Sequence, residues 1–203
     1  YRLLTFDDGN EHFRVAVYGQ CSNVSNAHDE AEPNLLDDTR GFGGGIITTY
    51  LKKRFAVSLT TGFTIPNEYS EDIPLFSGSA STINTTIEYG KSLEYNLSFG
   101  YLLYPKKYSN YKQANWNMYL EFNGKSYETA EVSQDGNNME VQTDGLSKGH
   151  YIEIHPGIQK VISSNLRIDL SVGTNILNTS YARLYPIVMV SIQRYFYSFK
   201  KLK

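Results

Sequence analysis

Charged and amide side chains recur two residues apart in several extended segments of this chain. Glu94 and Asn96 are one such pair, and Asn117, Tyr119 and Glu121 continue the pattern. Glu153 and His155 follow, then Gln159, then Arg167 and Asp169. A spacing of two puts each set on one face of a strand. A hairpin turning at Ser164 would set Gln159 roughly opposite Asp169, so polar groups of neighbouring strands would meet. Rows of such groups facing a lumen can select a solute by charge and hydrogen bonding. They can equally satisfy one another as a packed network filling a narrow interior, because buried charges need partners. Both readings stay open at this point.

A second cluster is acidic. His28, Asp29, Glu30, Glu32, Asp37 and Asp38 crowd one polar stretch. Oxygen-rich loops bind Ca²⁺, which makes Asp29, Glu30 and Glu32 a weak calcium candidate, able to bridge to lipopolysaccharide or a partner. The stretch lacks the alternating ligand spacing and central glycine of an EF-hand loop. The plainer expectation is a solvated external loop and no metal.

Enzymatic chemistry finds little support. Lipases embedded in membranes set Ser and His on an outward strand face near the rim. His150 and His155 are an odd number of positions apart, so they face opposite sides of a regular strand. No Ser–His–acid set has recognisable spacing. Cys21 is the single cysteine, with no evident basic neighbour to activate it and no partner for a disulfide. Phosphate loops, CxxC pairs and zinc-ligand spacings are absent. The expectation is a protein that is not an enzyme and needs no cofactor.

The elements that must carry these residues are strands. Phe55, Val57, Leu59, Phe63 and Ile65 alternate with Ala56, Ser58, Thr60, Gly62 and Thr64. Leu93 to Tyr101, Trp116 to Phe122 and Leu166 to Val172 repeat the pattern. Strands of about ten residues, apolar on one side and polar on the other, are the mark of a transmembrane β-barrel. A soluble barrel or sandwich also alternates. Here, however, the polar faces carry small residues (Gly43, Gly45, Ser58, Gly62, Ser98, Gly100), and Lys and Arg gather in turns (Lys52, Lys53, Arg54, Lys91). Tyrosine is abundant, at 17 residues, as suits aromatic girdles at membrane interfaces. No run of apolar residues is long enough for a transmembrane helix. A net charge of −2 gives no bias toward nucleic acid.

Short turns at 51–54, 90–92, 123–126 and 163–165 alternate with longer polar connections. Short turns belong on the periplasmic side and long loops outside. Asn123-Gly124 is the strongest hairpin signal. About eleven strands can be counted, including a stub at Tyr1 to Leu4 that reads as the end of a truncated strand. Closed bacterial barrels have even strand numbers, so a strand before Tyr1 would bring the total to about twelve. Ten is the alternative, if Asn123-Gly124 is a bulge. The expected fold is therefore all-β: a single transmembrane antiparallel β-barrel of about twelve strands occupying residues 1–203 as one domain.

The run from Ala27 to Leu35, Gly41-Phe42-Gly43-Gly44-Gly45 and Tyr50-Leu51-Lys52-Lys53-Arg54-Phe55 resembles a family of Gram-negative outer-membrane proteins. His155-Pro156-Gly157-Ile158-Gln159 and the stretch from Ser164 to Gly173 share that likeness. The family is labelled "transporter" or "meta-pathway phenol degradation-like". The resemblance implies residence in the bacterial outer membrane, contact with its lipid and lipopolysaccharide, and passage of small aromatic or hydrophobic molecules. It implies no catalytic residue. One departure is the ending: Phe196 and Phe199 are followed by Lys200-Lys201-Leu202-Lys203, where such barrels end on an aromatic residue. The expected function is passive transport of small apolar or aromatic solutes along Glu94, Asn96, Asn117, Glu121, Glu153, His155, Gln159, Arg167 and Asp169. The alternative is a non-conducting accessory or structural subunit of a larger outer-membrane complex.

Overall fold

The computed structural model describes residues 1–28, 30–77, 80–107, 113–140, 143–163, 165–181 and 186–196. The strands are β1 (Arg2–Asp8), β2 (Glu11–Ser22), β3 (Gly41–Lys52), β4 (Phe55–Pro66), β5 (Tyr69–Pro74), β6 (Thr82–Glu88) and β7 (Ser92–Tyr104). They continue with β8 (Asn115–Tyr127), β9 (Glu131–Gln134), β10 (Asn137–Met139), β11 (Gly149–Ser163), β12 (Leu166–Asn178) and β13 (Ile187–Arg194). A short 3₁₀ turn spans Asp144–Leu146. The all-β expectation holds, and every paired strand is antiparallel.

The strands divide into two sheets. A nine-stranded sheet has the order β1-β2-β3-β4-β7-β8-β11-β12-β13, and a four-stranded sheet has the order β10-β9-β6-β5. The expected closure at about twelve strands, or at ten, is not found. No pairing joins β1 to β13 among the described residues. An odd number of antiparallel strands leaves the two edges running in the same direction, so they cannot close by the antiparallel ladder used in the rest of the sheet. The sheet nevertheless curls, since β2, β3, β4, β7, β8, β11, β12 and β13 all send side chains to one shared cavity.

The segments that precede the expected turn at 90–92 and follow the expected turn at 123–126 lie in the small sheet. Residues 82–88 and 131–134 are β6 and β9, which pair with each other. The connection at Gly90-Lys91-Ser92 is therefore a passage between sheets and not a hairpin. The apolar centre of this region is a small cluster of Ala31, Tyr89, Tyr127 and Ala130. The alternation predicts a last strand over roughly 182–196; residues 182–185 lie outside the described residues, and β13 is the part described. Phe199 and the lysine-rich ending also lie outside them.

Asn123-Gly124 is the clearest correction. These residues sit inside β8, paired without a break to β7 and to β11. The reason is steric. Tyr95 is the direct neighbour of Gly124 on β7, and its ring occupies the space where a side chain at 124 would stand. The glycine serves a neighbouring ring rather than a turn. The same device recurs: Tyr18 lies over Gly45 and Gly62, Tyr119 over Gly157, and His155 over Gly173.

The two faces of the large sheet reverse the polarity of a water-soluble protein. Phe42, Ile46, Leu59, Phe63, Leu93, Leu170, Val172, Val190 and Ile192 are all exposed on the convex face. The buried set is largely polar and includes Thr64, Ser92, Lys125, Glu153, His155 and Ser171. Replacing Gly124 by Val should therefore force Tyr95 from its seat. The expected loss is about 1–3 kcal/mol, as for overpacking elsewhere. Denaturant unfolding of the purified variant checks this; an unchanged midpoint would remove the ring-over-glycine account.

Candidate functional site

The concave face has two unlike ends. At the loop end, part of the segment 23–40 packs inward while Asn34, Leu36, Asp37, Asp38 and Arg40 stay exposed, so the expectation of a solvated external loop holds for Asp37 and Asp38 but not for the stretch around Ala31 and Pro33. Ala31, Pro33 and Thr39 are essentially without solvent contact, and His28 and Leu35 are buried. The segment braces itself locally: Thr39 Oγ1 lies 2.9 Å from His28 Nδ1 and accepts from the Asn34 amide at 2.6 Å. The Tyr89 hydroxyl donates to the His28 carbonyl at 2.8 Å.

Lys125 ties this segment to the sheet. Its position on β8 is on the inward face, two residues beyond Asn123 and four beyond Glu121. The ammonium lies 3.1 Å from Glu94 and 3.7 Å from Glu32, and it donates to the Pro33 carbonyl. Glu32 also accepts from the Tyr151 hydroxyl at 3.0 Å. The Lys125 side chain is only 9% exposed, so the charge is matched by two carboxylates and a carbonyl instead of water. This bears on the calcium candidate. Glu32 is already met by a cation, Asp29 lies outside the described residues, and no group of three His, Cys, Asp or Glu side chains fit to hold a metal occurs among the described residues.

The other predicted lumen residues fall into short polar chains. Asn96 donates to Asn123, its direct partner across β7 and β8. His155 Nε2 lies 2.9 Å from Glu153, and both are buried. The expected register of Gln159 opposite Asp169 holds. Asn117 donates to Gln159 at 3.1 Å, and Gln159 donates to Asp169 at 2.6 Å. Ser98 donates to Glu121 at a long 3.4 Å.

At the turn end the interior opens into a cavity of about 1090 Å³. Asn117, Tyr119, Glu121, Gln159, Arg167 and Asp169 all line it. Arg167 and Asp169 share a face but do not pair; the guanidinium stands over the Tyr195 ring at 5.9 Å. Among the described residues Arg167, Asp169 and Glu121 form no ion pair, and Arg167 Nε has no hydrogen-bond partner. The interior is thus filled by the contacts around Lys125 at the loop end, where the buried Ser92 Oγ has no partner, and roomy with uncommitted charge at the turn end.

Alternation in the sequence puts the polar residues named above on the inner face but misses Lys125, which a hairpin at Asn123-Gly124 would assign to a turn. The available signal was the inward parity of Glu121, Asn123 and Lys125 once the strand is allowed to continue. It also missed a third feature, on the convex rim. Ser126 and His150 are direct cross-strand partners, with Oγ 2.6 Å from Nδ1. Nothing in the spacing of residues 126 and 150 announces that contact.

The fold and its interior define an all-β protein built on a curled antiparallel sheet with a polar inside and an apolar outside. No family model matches the chain, and no curated protein does.

Substituting Lys125 by Met should leave Glu32 facing the interior without its cation. The expected cost is roughly 3 kcal/mol, as for removing one partner of a buried pair. Limited proteolysis should then cut within residues 23–40 faster than in the unaltered protein. Equal cutting rates would show that Lys125 does not hold the segment in place.

Proposed function

We propose that this chain is an outer-membrane β-barrel that passes small solutes and is closed at rest by its own residues 23–40. The observation that carries the reading is the reversed polarity of the large sheet. A monomeric soluble protein rarely exposes a wide contiguous apolar surface, whereas a bilayer requires one. The curl of the sheet around a shared cavity supports a barrel, and the segment tied down by Lys125 supports a closed resting state.

The solute path runs through the turn-end cavity. Its walls mix Tyr119, Leu51 and Leu102 with Arg167 and Asp169. That mixture suits a small aromatic solute carrying a polar group better than a purely apolar one. A second reading is a non-conducting subunit of a larger outer-membrane complex. The tightness of the Lys125 contacts favours it, since a segment so held would block flow permanently.

Trp116 is the single tryptophan. It is 38% exposed on the convex face, beside Lys160 at 4.9 Å. In vesicles of brominated phospholipid its fluorescence should be quenched; emission equal to that in unbrominated vesicles would remove the membrane reading. Planar-bilayer recordings then separate the two functions. Rare steps in the unaltered protein that become frequent in Lys125→Met support a gated path. Silence in both forms of the folded protein supports the accessory subunit.

A further inference from the structure

The Ser126–His150 pair lies at the loop-end rim of the convex face, where neither the plug nor the lumen uses it. Ser126 follows the inward Lys125, and His150 precedes the inward Tyr151, so both point outward. The 2.6 Å separation of Ser126 Oγ and His150 Nδ1 is within reach for direct proton transfer. His150 is held in place around this contact. Its amide donates to the Thr179 hydroxyl at 3.2 Å, and that hydroxyl donates to the His150 carbonyl at 3.0 Å. The Tyr95 ring, seated over Gly124, packs 6.4 Å from the imidazole.

A cross-strand hydrogen bond alone would only satisfy two polar groups. Here the pair also opens onto a pocket of about 570 Å³. Leu93, exposed on the apolar face, forms one wall, and Lys91 and Lys148 form others together with Glu128, whose carboxylate accepts from the Lys91 amide at 3.3 Å. A nucleophile with a base in contact, an apolar wall and nearby positive charge are the parts needed for acyl transfer.

We propose that Ser126 and His150 are a nucleophile–base dyad that hydrolyses carboxylic esters of acyl chains. Ser126 Oγ adds to the ester carbonyl carbon while its proton passes to His150 Nδ1. The ester C–O bond then breaks, and the alcohol leaves with that proton. Water adds to the acyl-serine, giving a proton to His150. The bond to Oγ breaks, Ser126 regains its proton, and a carboxylic acid departs. One ester and one water become one acid and one alcohol, with no oxidant or reductant. Lys91 and Lys148 supply positive charge for the oxyanion that forms at each addition. The substrate is a membrane lipid ester; this assignment rests on the membrane reading above, since the pocket opens at the edge of the apolar face.

The test uses the folded protein in detergent micelles with a fluorophosphonate probe, followed by peptide mass spectrometry. Label is expected on Ser126. Hydrolysis of 4-nitrophenyl butyrate should fall by about 100-fold or more in Ser126→Ala and in His150→Gln, with the heat-dependent gel migration of a folded barrel retained. A folded protein that takes no label at Ser126 overturns the dyad, as does turnover equal to that of Ser126→Ala. Fatty-acid release from phosphatidylethanolamine vesicles should follow the same order. Butyrate turnover without fatty-acid release overturns the lipid assignment. Labelling in micelles does not need a bilayer, so failure of the membrane reading would appear separately, as missing quenching of Trp116 with label still on Ser126.

Discussion

Lys125 places a full positive charge where there is almost no water, and the surrounding interior is arranged to answer it. Glu94 approaches from the neighbouring strand, and Glu32 and the Pro33 carbonyl approach from the inward segment. Leaving such a charge unpaired would cost several kcal/mol. The segment at 23–40 therefore has a strong reason to be inside. Once inside, it brings Ala31 against Tyr89 and Tyr127, which ties the small sheet to the end of the large one. One ion cluster thus links the strands of the large sheet to the segment that packs inside them, and that segment meets the residues next to the small sheet.

The second constraint is space. A sheet that carries its large apolar residues outward has only its inner face to build an interior, and that face must be polar and closely packed. The solution repeated along the strands is a ring lying over a glycine of the next strand. Tyr18, Tyr119 and His155 do this on the inner face, and Tyr95 does it on the outer. Each pairing lets neighbouring strands carry a ring without pushing the strands apart. It also explains why glycine occurs in strand interiors that would otherwise be weakened by it.

These two constraints divide the molecule along its length. At the loop end, the segment around Pro33 fills the interior and Lys125 gathers two carboxylates and a carbonyl. At the turn end, Asp169 and Gln159 are matched to each other while Arg167 and Glu121 face open volume. Uncommitted charge beside a cavity is what a passing solute can use. On the reading proposed above, the same chain therefore carries a path and its own stopper. The Ser126–His150 pair of the rim pocket lies on the opposite face of the same strands, and the pocket meets the inward segment at Tyr127, which packs on Ala31.

Period-two alternation made most strands visible in the sequence, and the alternation from Phe55 to Ile65 covers all of β4 but its last residue. It also sorted Glu94, Glu121, Glu153, His155, Arg167 and Asp169 onto the inner face, because the parity of a strand is a local property. The Gln159–Asp169 register was equally accessible, since a short turn fixes which residues of a hairpin oppose each other. What the sequence could not settle was which elements share a sheet and what fills the interior. Asn123-Gly124 has the composition of a turn, and only the Tyr95 ring on the adjacent strand decides otherwise. Residues 27–38 have the composition of a solvated loop, and only the buried Lys125, through Glu32 and the Pro33 carbonyl, draws part of that stretch inside. The contacts of Lys125 with Glu32 and of Ser126 with His150 join residues far apart in the chain. Local composition determines the polarity and extension of each segment; the long-range pairing of charges and rings, which no single segment contains, decides where each one goes.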